Sequence, residues 1–226
     1  MTLPWVEVVE ADVPTGEEWL SAWERSRIAL HITGPRRKSF RLGRWAAKVL
    51  ARRELGLDKT AWADIDVRND PEGSPMLYLA GIRQSACLSI SHRGEYAVAA
   101  LDRHGRRCGI DIELREPRSI AFVLDYLTEA EVRRWNETPV ERQSDYANLV
   151  WSAKECVLKV LGEGLRRDTR EVDVLLSQDG RWEAGAFQAE DRKQGRSFDG
   201  TWIMRRDRMI TIANPIGPTG SASNSR

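Results

Sequence analysis

Cysteine and histidine are scarce in this sequence, three of each among 226 residues. Cys87, Cys108 and Cys156 are widely spaced, odd in number and form no CxxC pair, which argues against a disulfide framework. With only His31, His92 and His104 to assist, a zinc site is disfavoured too. The thiols are expected to be buried or incidental in a reducing compartment. No apolar run is long enough to span a bilayer. The opening MTLPWVEVVE lacks the basic and apolar regions of a secretory signal, so the expected location is cytoplasmic. Neither charge dominates. With 35 basic and 34 acidic residues the net charge is +1, which gives no footprint of a nucleic-acid or anionic-membrane binder. Arginine pairs such as Arg36-Arg37, Arg52-Arg53, Arg133-Arg134 and Arg166-Arg167 are scattered, as on solvated faces.

What is present is an ordinary globular composition, 41% hydrophobic and 31% charged with nine tryptophans, long enough for one large domain or two small ones. WVEVVEADV reads as a strand, and GEEWLSAWERSRIAL has helical spacing. SFRLGRWAAKVLARRELG predicts a helix after a break at Pro35, with Phe40, Trp45, Val49 and Leu50 along one side and Gly56 as its stop. NDPEGSP is a loop. ACLSISHRGEYAVAAL predicts two strands around a turn at SHRGE, and CGIDIEL another strand. TEAE at 128–131 is a capping box opening the helix EAEVRRWNE. The longest helix is expected from about 141 to 161. EVDVLLS, RWEAGAFQ, TWIMRR and MITIANP are strand-like, and IGPTGSASNSR reads as a disordered tail. The class is α+β, with a long helix in each half.

Three stretches carry candidate chemistry. In the strand CGIDIEL, Cys108, Ile110, Ile112 and Leu114 point one way; Asp111 and Glu113 point the other. Adjacent carboxylates repel unless a cation lies near, so the pair is either a Mg²⁺ site completed by substrate phosphates or a solvated acidic edge. In WSAKECVLKVLGEG, Glu155 and Lys159 are spaced i, i+4. They form either an ordinary helical ion pair or a third carboxylate followed by a cation for a phosphate oxygen. In SISHRG, Ser89, Ser91 and His92 at a strand end suit phosphate oxygens, or are structural. No GxSxG elbow supports a serine hydrolase.

Taken in order, Gly73-Ser74-Pro75, Ile90-Ser91-His92, Gly109 to Glu113 and Trp151 to Leu165 resemble the signature motifs of the surfactin-synthetase type of 4′-phosphopantetheinyl transferases, over about residues 27–165. Two departures stand out: Ser74 replaces the family's loop lysine, and Cys156 replaces a small residue. The resemblance implies a pseudo-dimer of two similar α+β halves, with coenzyme A binding in residues 1–104 and metal and catalytic residues in 105–215. The active site would lie in the cleft between them, ahead of the tail at 216–226. It implies Mg²⁺-dependent transfer of the phosphopantetheine arm of coenzyme A to a serine of an acyl or peptidyl carrier protein. By the same resemblance Asp111, Glu113 and Glu155 would hold Mg²⁺, and Lys159 would neutralise a pyrophosphate oxygen. Glu155 or Glu131 would be the general base. Ser91, His92, Gly73, Pro75, Arg27 and Arg68 would contact coenzyme A. A monomer is expected, since the chain supplies both halves of its cleft. Two other readings remain open: a non-enzymatic coenzyme A or carrier-binding module, and a Mg²⁺ hydrolase of diphosphates.

Overall fold

The computed structural model describes residues 3–31, 34–163, 167–177 and 182–213. Gly164, Leu165 and the tail expected at 216–226 lie outside them. Among the described residues are two antiparallel five-stranded sheets whose strand orders match. The first sheet is β1 (Trp5–Val9), β5 (Tyr96–Asp102), β4 (Ile82–Arg93), β3 (Pro75–Leu79) and β2 (Ile65–Asn69). The second is β6 (Gly109–Leu114), β10 (Arg208–Ala213), β9 (Arg196–Met204), β8 (Ala184–Asp191) and β7 (Val172–Ser177). Helices α1 (Ala22–His31) and α2 (Pro35–Leu55) belong to the first half; α3 (Ile120–Tyr126), α4 (Glu129–Glu137) and α5 (Val140–Leu161) belong to the second. The fold is therefore α+β with two similar halves, as the sequence suggested.

Alternation along the strands builds the layers. On β5, Ala97, Ala99 and Leu101 face the core under α2, whereas Val98 and Ala100 face a seam shared with Ile110, Ile112, Ile210 and Ile212 of the second sheet. On β6 the same period sends Ile110 and Ile112 into that seam and turns Asp111 and Glu113 toward α5. Gly109 lets β6 approach α5 closely, since a Cβ there would fall 2.0 Å from the Cys156 carbonyl oxygen. The two halves also share a buried polar device. Glu24 ion-pairs with Lys48 at 2.7 Å and accepts from the Val67 N–H; Glu131 ion-pairs with Lys154 at 2.7 Å and accepts from the Val174 N–H. Each lysine also donates to two backbone carbonyls.

Several local expectations are corrected. Pro35 does not precede α2 but occupies its first turn, where its missing N–H costs nothing. The buried face of α2 is Leu42, Ala46, Ala47, Leu50 and Ala51, while Phe40, Trp45 and Val49 are only half-buried. SHRGE is not a turn throughout. Ser91, His92 and Arg93 continue β4, paired with Val98, Ala97 and Tyr96, and the reversal is confined to Gly94-Glu95. Arg167 is buried against Asp191 and Glu171 rather than solvated. Helix α3 and strands β2 and β3 were not anticipated. The capping box, α4 and Gly56 as the left-handed cap of α2 are as expected.

Candidate active site

The site forms where β4, β6 and α5 meet. Asp111 is buried and bonded on both oxygens. Oδ1 accepts from Ser91 Oγ at 2.7 Å and Lys159 Nζ at 2.8 Å; Oδ2 accepts from Ser152 Oγ at 2.7 Å. Ser152 Oγ lies 2.8 Å from Thr211 Oγ1 of β10. Lys159 also donates to the Ile110 carbonyl at 2.8 Å. Burial opposes its charge, but Asp111 outweighs that and holds the ammonium above its ordinary range. Glu113 accepts from Trp151 Nε1 at 2.9 Å and has Arg118 and Arg93 at 3.5 and 3.6 Å. Burial and then Asp111 still push it up.

Glu155 differs from the other two carboxylates. Its Oε1 is buried with no hydrogen-bond partner. Burial first, then Asp111 and Glu113, raise its carboxyl to about 7. The three acids thus share one electrostatic environment. They do not form a ready-made cage, since no three acidic, histidine or cysteine side chains converge as a metal cluster among the described residues. Lys159 and Ser91 bond Asp111 Oδ1 and Ser152 bonds Oδ2, which leaves acceptor capacity on Oδ2. The donor set suits Mg²⁺, which takes one or two carboxylates and completes its shell with waters and substrate phosphates.

One cavity reaches this cluster through Lys159, and a second adjoins the first. The first, about 640 Å³, is lined by Lys159, Arg107, Arg83, Ser74, Ser89 and Cys87 among others. The second, about 600 Å³, is lined by Arg27, Arg36, Ser39, Arg44, Asn69 and His92 among others. They share Gly73, Pro75 and Ile90. Gly73 has φ +97°, a conformation suited to glycine. Burial, then Lys159 and Arg44, hold His92 below its ordinary range. Arg44 is 6% exposed, stacks over Phe40 at 4.3 Å and has an unpartnered Nε. Its guanidinium is lowered to about 10, chiefly by burial.

Not every candidate reaches the cavities. Arg68 lies on β2, bonded to Asp66 at 2.7 Å and stacked over Tyr78 at 4.3 Å, and lines neither one. Glu131 is fully buried in its cap and ion pair with Lys154, the counterpart of Glu24 with Lys48, and lines neither cavity. Sequence reasoning missed Arg36, Arg44, Asn69, Arg107, Ser152 and Thr211. Arg44 alone left a signal, a charge between Leu42 and Ala46 on the apolar side of a helix.

With this geometry in place, likeness to known proteins can be stated. Residues 107–213 match the 4′-phosphopantetheinyl transferase superfamily. The chain is 33% identical over 92 residues to the 4′-phosphopantetheinyl transferase psf-1 of Bacillus pumilus, covering 41% of this chain and 39% of that one. It is 27% identical over 173 residues to a 4′-phosphopantetheinyl transferase of Bacillus subtilis, covering 71% of this chain and 74% of that one. It is 30% identical over 139 residues to the 4′-phosphopantetheinyl transferase Sfp of Bacillus subtilis strain 168, covering 62% of this chain and 58% of that one. The matched part therefore spans less than two thirds of the length of two of these three. No helix among the described residues is long and apolar enough to cross a membrane.

Proposed function

We propose that this chain, whose residues 107–213 belong to the 4′-phosphopantetheinyl transferase superfamily, converts apo- to holo-carrier protein. It transfers the 4′-phosphopantetheine arm of coenzyme A to a serine hydroxyl of an acyl or peptidyl carrier and releases adenosine 3′,5′-bisphosphate. The observation that carries this reading is Lys159, paired with Asp111 of the acidic cluster, on the wall of the first of two adjoining, arginine-lined cavities. Their volumes suit a nucleotide-sized ligand.

In this reading residues 1–104 supply the coenzyme A subsite and 105–215 the metal and catalytic groups. Arg27, Arg36, Arg44 and His92 receive phosphate and adenosine-ribose oxygens, and Gly73 and Pro75 shape the loop between the cavities. Ser91 orients Asp111 from the other half. Lys159 lies where charge grows on the phosphoryl oxygens, which is worth most in a partly buried site. Asp111, Glu113 and Glu155 would hold Mg²⁺, which when bound polarises the phosphoryl oxygens. Glu155 Oε1, unpartnered and with a carboxyl near 7, takes the proton of the attacking serine. Coenzyme A is the co-substrate. The chain works as a cytoplasmic monomer.

The test is the intact mass of an apo-carrier incubated with the chain, coenzyme A and Mg²⁺. A gain of one phosphopantetheine is expected. No gain despite tight coenzyme A binding would leave a binding module instead. Release of phosphate products from coenzyme A with no carrier present would mark a hydrolase.

A further inference from the structure

Cys87 and Cys108 have no part in the transfer chemistry above, yet they share one wall of the larger cavity. Cys87 lies in β4 of the first half, and Cys108 immediately precedes β6 of the second. The pair therefore straddles the seam. The Cys108 thiol donates to the Cys87 carbonyl at 3.7 Å and lies 3.9 Å from that of Ala100. The two side chains pack in the same apolar seam. Cys108, with Arg107 nearby, lowers the half-buried Cys87 thiol to about 7 against the effect of burial. Cys87, with burial, raises Cys108 well above its ordinary value. A nucleophilic thiol beside a resolving one is thereby built into an open cavity. Cys156 is the contrast. It is fully buried, donates to the Thr211 carbonyl at 3.0 Å and is pushed up to about 12, chiefly by burial.

We propose that Cys87 and Cys108 form a thiol–disulfide exchange site that accepts a low-molecular-weight disulfide in the cavity and ends as a covalent staple between the two halves. The Cys87 thiolate attacks one sulfur of R–S–S–R. The S–S bond breaks, one RS⁻ leaves and takes a proton from water, and Cys87 carries the SR group. Cys108, held against the Cys87 backbone carbonyl, is the neighbouring thiol. Cys108 then loses its proton to water and attacks the Cys87 sulfur, and the second RS⁻ leaves. Two protein thiols are oxidised to one disulfide, and R–S–S–R is reduced to two RSH. The inference rests on the cavity wall alone and does not require the transferase reading.

The experiment incubates the full chain with oxidised glutathione or oxidised coenzyme A and maps its cysteines by peptide mass spectrometry. The wild type is expected to lose two hydrogens as a Cys87–Cys108 disulfide, restored by dithiothreitol. Cys108→Ser should instead accumulate one SR adduct on Cys87, and Cys87→Ser should form no internal disulfide. Cys87 should react at least about tenfold faster than Cys156, following exposure and thiolate character. Adduct from either reagent supports the site, and the faster reagent identifies its natural source. Cys87 unmodified by both, or Cys156 reacting first in protein with an unchanged circular-dichroism spectrum, would overturn it. So would Cys108→Ser failing to hold its adduct.

Discussion

Ser91 Oγ stands 2.7 Å from Asp111 Oδ1 and ties β4 of one half to β6 of the other. Asp111 is also held by Ser152 and by the Lys159 ammonium. The three supports are unequal. Ser91→Ala removes a neutral donor and leaves two, so kcat/KM for carrier loading should fall about 5–10-fold. Lys159→Ala removes the charge proposed to meet the phosphoryl oxygens and should cost about 100-fold or more. Steady-state loading kinetics compare the two. Equal losses would mean that Lys159 does no more than hold Asp111.

Glu131 and Glu24 should behave alike. Each is fully buried and paired with a fully buried lysine at 2.7 Å. Breaking either pair strands a charge, so Glu131→Gln and Glu24→Gln should each lower unfolding stability by about 3–5 kcal/mol. Urea midpoints at pH 7 measure this. A Glu131→Gln protein with unchanged midpoint but abolished transfer would return Glu131 to the catalytic role that its sequence position first suggested.

Glu155 gives a pH dependence of known sign. Its carboxyl rises from 4.5 to about 7 on folding, chiefly through burial. Between those values the folded chain keeps a proton that the unfolded chain releases, so metal-free stability falls as pH rises through the window. The penalty is absent below about 4.5 and complete above about 7. Glu155→Gln should therefore be more stable than wild type at pH 8, by about 1–3 kcal/mol, and equal to it at pH 4. Thermal melts at the two pH values check this; a difference independent of pH would refute it.

Arg44 should act on coenzyme A and not on the chemical step. It lines the second cavity with an unpartnered Nε, stacked over Phe40. Arg44→Lys loses the planar fork that meets phosphate oxygens in pairs. KM for coenzyme A should rise about tenfold with kcat within about twofold. A fall in kcat at unchanged KM would move Arg44 to the reacting centre.

Much of this site was legible because its carriers are local. The period of β6 alone placed Asp111 and Glu113 together, and i, i+4 spacing placed Lys159 one turn beyond Glu155. The capping box at Thr128 and the strands of the second sheet were also local patterns. What depended on tertiary contact was not visible. Nothing in the chain says that Ser152 and Thr211 meet behind Asp111, or that Arg68 is taken by Asp66. The duplication of Glu24–Lys48 as Glu131–Lys154 was hidden because the halves match in strand order and ion pairs without a visible sequence repeat. Ser91 and His92 look like turn residues beside Gly94, yet the ladder to β5 carries the strand past them.

In the proposed chemistry Asp111, Glu113 and Glu155 become a metal site only when substrate phosphates complete it. Calorimetric titration of coenzyme A into the chain, with and without Mg²⁺, examines that most directly. Mg²⁺ should tighten binding about tenfold or more in the wild type, as phosphate-completed sites require, and should have no effect in Asp111→Ala. Equal coenzyme A affinity with and without Mg²⁺ in the wild type would contradict it.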